Sequence, residues 1–403
     1  MRIAYTSEQE RLRRELRRYF GQLMTDEVRT AIADSAEGDH GGGDAYRAVV
    51  RRLGADGWLA LGWPEEYGGR GGTMLDQLIF TDEAALARVP VPFLTVNSVG
   101  PTIMRFGTPA QKSFYLPKIA AGEVHFSIGY SEPGAGTDLA SLRTTATLVR
   151  GEGEAGGEEY VIDGQKMWTS LIQYADYVWL ACRTDPEAPR HKGLSIIIVP
   201  TSAPGFSWTP VRTMAGVVTS ATYYREVRVP LTALVGTENQ GWPLITNQLN
   251  HERVTLAAHA TMANRALAEV QQWARDTELS GGKRVIDLPW VRQRLARTHT
   301  RLDAVKLLNW QMVDALQRNA LTPQDASAVK VYGSEARRDA YSWLMEVVGA
   351  AGPLKEGSAG SVLQGNLERG YRSAVIFTFG GGNNEIQREI ISWIGLGMPR
   401  VRR

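Results

Sequence analysis

Thiols, long apolar runs and net charge are all scarce in this chain, and each shortage removes a class of function. A single cysteine, Cys182, stands in 403 residues, so no internal disulfide forms. The N-terminus lacks the charged, apolar and small-residue order of a cleavable leader, and a reducing cytoplasm is the expected compartment. Apolar runs are short pieces such as Ile196 to Pro200, far below the roughly 20 residues of a membrane span. Lys and Arg total 45 against 43 for Asp and Glu, a formal net charge of +2, too weak a field for nucleic acid or an anionic membrane. The basic cluster from Arg11 to Arg18 is interleaved with Leu12, Leu16, Tyr19 and Phe20 and reads as the solvated side of an amphipathic helix. No repeat of fixed period appears. What remains is 43% hydrophobic content, ample for a soluble globular protein with two or three packed layers or domains.

The texture changes twice along the chain. Residues 1–125 carry a helical period, clearest over Glu8 to Phe20 and Leu75 to Arg88, with Gly and Pro between the segments. Residues 126–238 break into short β-type runs: Tyr160 to Ile162 before an Asp163-Gly164 turn, Tyr177 to Cys182, Leu194 to Val199, Phe206 to Val211 and Ala221 to Val229. These predict a compact antiparallel barrel or sandwich. The stretch Gly151 to Glu159 contains only Gly, Glu and Ala and reads as a hairpin loop. Residues 239–403 return to the helical period, with Pro243 suited to a first helical position. Gly281-Gly282 and Gly380 to Gly382 read as breaks between helices. The expected class is α+β, mainly α.

One residue conflicts with its surroundings. In the helix after Pro243, Ile245, Leu249, Glu252, Leu256 and Ala260 fall at offsets 0, 4, 7, 11 and 15, which is one helical face. A carboxylate therefore interrupts an apolar stripe, and it must meet a cation, raise its pKa or face a cavity. Arg253 is adjacent, but neighbouring helical residues point about 100° apart. A base of near-neutral pKa in a dry pocket is what proton removal alpha to a carbonyl requires.

Two loops add binding chemistry. Ser127-Ile-Gly-Tyr-Ser-Glu-Pro-Gly-Ala-Gly-Thr-Asp138 offers turn glycines, backbone amides and the hydroxyls of Ser131 and Thr137, as a cofactor loop or a plain strand connection. Lys166-Met-Trp-Thr-Ser170 sets an indole beside two hydroxyls, though Trp168 suits a core equally well. His251, His259 and His299 lack the carboxylates and spacing of a metal site. Met262, Met312 and Met345 read as bundle fillers.

These segments together resemble the acyl-CoA dehydrogenase family along nearly the whole chain. The likeness is carried in order by Trp63-Pro-Glu-Glu-Tyr-Gly-Gly69, by Gln111-Lys112 to Leu116-Pro117 with Ala120-Ala-Gly-Glu123, by Tyr130 to Asp138, by Gln165 to Ser170, and by Asn384-Glu-Ile-Gln-Arg388. The resemblance implies an N-terminal helical domain, a middle β-barrel or sandwich domain and a C-terminal four-helix bundle, with FAD between the last two. It implies that Ser131 bonds the pyrimidine side of the flavin, that Trp168 packs on the isoalloxazine, that Ser170 lies near N5, and that Asn383 joins the cofactor contacts. Thr137 would meet the CoA portion and Arg253 would orient the thioester. The implied reaction removes an alpha proton and passes the beta hydride to flavin N5, giving a trans-2-enoyl-CoA, with an electron-transferring flavoprotein as acceptor. A flavin-holding subunit without catalysis, and an oxidase using oxygen, stay open as alternatives.

Many members of the family carry their base just before the Glu-Ile-Gln-Arg motif, where this chain has Gly380-Gly381-Gly382-Asn383. Gly381 stands in the place of that glutamate. A smaller group carries it on the first long helix of the C-terminal bundle before an arginine, and Asn250-His-Glu252-Arg253 matches that arrangement. Two segments that grip the flavin's phosphates in homotetrameric relatives are also altered, reading Arg275-Asp-Thr-Glu-Leu-Ser-Gly-Gly282 and Glu346-Val-Val-Gly-Ala-Ala-Gly352. Glu346 brings negative charge and Ala350 a methyl group where phosphates would approach. The resemblance is greatest to the base-bearing subunit of actinobacterial enzymes acting on steroid side-chain CoA thioesters, which implies a paralogous partner and an α2β2 heterotetramer. A homotetramer using Arg284, Arg292 or Arg294 for the phosphates is the other arrangement.

Overall fold

The computed structural model describes residues 4–34, 43–151, 157–258, 261–318 and 320–400, without the side chains of residues 33, 34, 250–258 and 261. The described residues open with six helices, α1 Ser7–Leu23, α2 Asp26–Asp34, α3 Gly43–Ala55, α4 Met74–Ala87, α5 Gly100–Phe106 and α6 Pro109–Ala120. Capping boxes start three of them: Thr6 with Gln9, Thr73 with Asp76, and Thr108 with Gln111. Each box satisfies amides that a helix start leaves unpaired. Helix α1 buries Leu16 and Phe20. Its basic face is solvated as expected at Arg11, Arg14, Arg17 and Arg18, while Arg13 is partly buried, and Arg13 Nε and Arg17 Nε reach buried Glu83 on α4 at 2.9 and 2.7 Å. A buried carboxylate recruits cations that periodicity alone assigns to water.

The middle region is one connected sheet of β1 Phe126–Gly129, β2 Thr145–Val149, β3 Glu159–Lys166, β4 Tyr177–Arg183, β5 Leu194–Pro200, β6 Phe206–Arg212, β7 Val218–Pro230 and β8 Leu234–Val235. The strand order is β6-β7-β3-β2-β4-β5-β8, with β1 on β4. The expectation of a wholly antiparallel sheet is corrected, since β1 and β2 both run parallel to β4. The long excursion from β1 through the β2–β3 hairpin supplies the crossover that a parallel pair needs. The predicted Asp163-Gly164 turn is also corrected: both residues lie inside β3, where the register shifts between Ile162 and Gly164. Gly164 has φ 152°, and a Cβ there would meet Thr144 Cα at 2.7 Å. This glycine permits the close approach and β3 runs on to Lys166, while the extra residue of the bulge lies on β7, where Arg225 and Glu226 stand between the partners Tyr224 and Val227 and Glu226 has φ 48°.

Strands β4 and β5 explain how the regions join. Val178 to Cys182 and Leu194 to Val199 are buried throughout, so they read as near-continuous apolar runs, interrupted at Ser195. Alternate residues face different cores. Val178, Leu180, Cys182, Ile197 and Val199 fill the core of the sheet, while Trp179, Ala181, Ile196 and Ile198 belong to a larger core shared with the opening helices.

The helical period returns as α7 Gly241–Ala258, α8 Thr261–Asp276, α9 Pro289–Gln317, α10 Pro323–Val348, α11 Asn366–Ala374 and α12 Asn384–Ile390. Helix α10 packs against α7, α8, α9, α11 and α12. Helix α7 also reaches out of this bundle, placing Leu244 and Ile245 in the shared core. Among the described residues no helix is long and apolar enough to cross a membrane.

Candidate active site

One cavity of about 2080 Å³ lies between the sheet loops, the end of α4, helix α7 and the segment leading into α12. Five residues expected from sequence, Ser131, Thr137, Trp168, Ser170 and Asn383, line it together. The side chains of Glu252 and Arg253 lie outside the described residues. Their helix is described, and Trp242, Thr246 and Leu249 of α7 line the same cavity. Gln248 Nε2 bonds Ser98 Oγ at 2.7 Å and Arg105 bonds Asn247 Oδ1 at 2.6 Å, which fix the register of α7 against the opening helices.

The loop around Trp168 is held in an uncommon conformation. Trp168 has φ 63° and is 56% exposed, so the alternative of a core tryptophan is corrected. A bulky residue in the left-handed region costs of order 1–3 kcal/mol and persists only where its surroundings over-determine it. Here Met167 N donates to Ser131 O at 2.8 Å and Thr169 N to Ser220 O at 2.9 Å. Ser170 O accepts from Ser127 Oγ at 2.8 Å, and the Ser170 and Thr219 hydroxyls lie 3.5 Å apart.

Beneath this loop sits a fully buried Lys166, whose Nζ donates to Glu132 Oε1 at 2.7 Å and to Tyr130 O at 3.1 Å. Burial alone would push the Glu132 carboxyl up, but the ammonium and the hydrogen bonds from Thr144 outweigh it and hold the group below the usual range. Sequence reasoning gave this pair no role. The signal was available, because Tyr160, Ile162 and Lys166 share the period-two face of β3, and a cation on an apolar face needs a carboxylate.

On the far side, Asn383 caps α12 by accepting from Ile386 N at 2.9 Å and donates to Thr137 Oγ1 at 3.0 Å. One side chain thus ties the bundle to the sheet loop. Gly381 and Gly382 precede it with φ 67° and 99°, and a Cβ at Gly382 would meet Gln387 Nε2 at 2.7 Å. Part of the remaining wall is formed by Thr81, Ala84 and Ala85 of α4 and the run Val89, Pro90 and Val91. These were missed, although Val89-Pro-Val-Pro-Phe93 between two helices marks a rigid apolar connection. Met262 also lines the cavity, which corrects its assignment as a filler. Met312 is buried and Met345 packs on the bundle core, as expected.

The residues altered at the expected phosphate grip are occupied among themselves. Glu346 Oε2 pairs with Arg294 Nε at 2.7 Å. Arg284 Nη1 donates to Arg275 O at 2.8 Å, and Arg292 bonds Ile286 O at 2.8 Å and Asp287 at 3.1 Å. Cys182 is a buried free thiol, and burial pushes it up to about 12. No group of metal ligands occurs among the described residues.

An exposed indole beside the Ser131 and Ser170 hydroxyls suits the flat, polar-edged ring of a flavin. The cavity is also larger than the roughly 300–1,000 Å³ of ordinary small-molecule sites, leaving space for a second large ligand. Models of the N-terminal, middle and C-terminal domains of acyl-CoA dehydrogenase match residues 6–123, 127–227 and 239–394. The chain is 57% identical to acyl-CoA dehydrogenase FadE26 of Mycobacterium tuberculosis, over 100% of both chains. It superposes on a chain of the crystal structure of the ChsE4-ChsE5 complex from the same organism with TM-score 0.91 and 57% identity, covering 100% of each. A chain of the structure titled Tcur3481-Tcur3483 steroid ACAD matches with TM-score 0.90 and 50% identity, again over 100% of each. Three matched domains and full-length likeness leave one assignment: the chain belongs to the acyl-CoA dehydrogenase family, a generally FAD-dependent family of oxidoreductases.

Proposed function

We propose that this protein carries out FAD-dependent alpha,beta-dehydrogenation of an acyl-CoA thioester bearing a bulky, steroid side-chain-like acyl group. The product is a trans-2-enoyl-CoA. The observation that carries this reading is the large cavity, which gathers the expected flavin-side residues and the apolar walls of α4 and α7. Residue 252 follows cavity-lining Leu249 by three positions in the same helix. Gly381 offers no carboxylate at the other place where this chemistry is served in the family.

In this reading Glu252 takes the alpha proton and Arg253 orients the thioester. Ser131, Trp168, Ser170 and Asn383 would hold FAD, Ser131 by a hydrogen bond and Trp168 by packing, and Thr137 would meet the CoA portion. When bound, FAD supplies the two-electron acceptor for the beta hydride, so loss of one proton and one hydride leaves the new double bond. Apolar surroundings exclude water and favour a base of raised pKa.

The chain then contributes the flavin-face and base half of a site completed by a paralogous subunit in an α2β2 assembly. The mutual pairing of Glu346 with Arg294 supports this, as do the contacts already made by Arg284 and Arg292. The resemblance to a chain from a two-component complex points the same way. Electrons leave to an electron-transferring flavoprotein, as the family implies.

The test is anaerobic mixing of the assembled complex with a steroid side-chain acyl-CoA. Bleaching of the flavin absorbance with formation of the enoyl-CoA is expected; an unbleached flavin removes the reading. Purified alone, the chain is expected to hold well under one FAD per polypeptide, and full occupancy there would contradict the shared site.

A further inference from the structure

Neither Glu132 nor Lys166 lines the cavity, yet the pair lies where three segments of the cofactor side converge. The Glu132 carboxylate accepts from Arg143 N at 2.7 Å, from Thr144 N at 2.9 Å and from Lys166 Nζ at 2.7 Å. Those contacts join the loop after β1 to the entry of β2 and the exit of β3. Lys166 Nζ donates also to Tyr130 O, so one ammonium grips the residues on either side of Ser131. The backbone of Ser131 is held from the same strand exit, because its carbonyl accepts from Met167 N at 2.8 Å. Trp168, with its left-handed backbone, follows two residues after Lys166.

We infer that Glu132 and Lys166 form a positioning pair, which fixes Ser131 and the strained Trp168 loop in one relative placement and so shapes the cavity's cofactor face. The inference rests on the proposed role of that face in holding FAD. Its physical basis is that a buried ion pair is a poor source of stability but a strong constraint on geometry when every partner is used. Replacing one member leaves an uncompensated buried charge, whereas replacing both removes the constraint without that penalty.

The test compares the unaltered chain with Glu132→Gln, Lys166→Met and the paired Glu132→Gln/Lys166→Met variant. Amide exchange is followed in the flavin-free full chain, and FAD is titrated into the complex assembled with the paralogous subunit. Exchange at Met167 and Thr169 is expected to accelerate at least tenfold more than at Ile197 and Val199, which lie in the β4–β5 ladder. FAD affinity is expected to fall at least tenfold, and combination with Trp168→Ala to add less than the product of the separate effects. Where a single variant does not fold, the paired variant carries the same test. Equal acceleration at all four amides, unchanged exchange, or failure of every variant to fold would overturn a local positioning role. If the unaltered complex does not bind FAD, the functional reading falls, while the exchange measurement still decides the pair.

Discussion

The sheet side of the cavity fixes its side chains through backbone hydrogen bonds and a buried ion pair, whereas α7 on the helical side is held through apolar packing around Leu244 and Ile245, with the Gln248–Ser98 and Arg105–Asn247 bonds setting its register. The difference separates two demands. In the proposed function the sheet side is the cofactor face, which needs particular polar atoms at particular places, even at the expense of local strain such as that at Trp168. An acyl-facing wall needs shape and dryness, which close packing supplies. Stability and function are therefore expected to respond oppositely on the two sides.

The largest stability effect belongs to the helical side. Ile245 is fully buried in the shared core, and Ile245→Ala is expected to cost about 2–5 kcal/mol in chemical denaturation. A loss below about 1 kcal/mol would show that α7 is not held by this packing. On the sheet side, Trp168→Gly relieves the left-handed backbone of an exposed residue, so folding stability is expected to hold or rise by about 1 kcal/mol. FAD affinity should nevertheless fall at least tenfold. If both fell together, the strain account would be wrong.

A smaller effect is expected with acid. The folded state holds the Glu132 carboxyl below its ordinary value, so its stabilising contribution is fully present above the unfolded pKa of about 4.3. That contribution is lost as pH falls through the lower folded value. Denaturation between about pH 5 and about pH 3 should consequently show a shallower decline for Glu132→Gln than for the unaltered chain. The smallest effect concerns α1. Arg17 is 55% exposed and Arg13 also serves Glu83, so Arg17→Ala should cost less than about 1 kcal/mol in thermal denaturation.

Much of the architecture was legible because hydrophobic period reports burial directly. The change from period 3.6 to period two and back marks the sheet and the helices on either side of it, and apolar β4 and β5 announce strands covered on both faces. Parallel pairing of β1 with β4 was not legible, since register across a long excursion depends on contacts far apart in sequence. Gly164 misled for a related reason: after Asp163 it has the composition of a turn, and only the nearness of Thr144 shows that it permits a close approach inside a strand. The lining of the cavity was legible where motifs carry it, at Ser131, Thr137, Trp168, Ser170 and Asn383. Its apolar wall at Ala84, Ala85 and Val89 was not, because such residues look the same in any core. The Glu132–Lys166 pair fell between these cases, with both residues inside quoted motifs and their mutual contact set by folding.

The most direct measurement of the central claim is single-turnover reduction of the flavin by acyl-CoA in the Glu252→Gln complex under anaerobic conditions. The account predicts unchanged FAD content with reduction slowed by about 10²- to 10⁴-fold, the usual share of a general base. Reduction at the unaltered rate would contradict it.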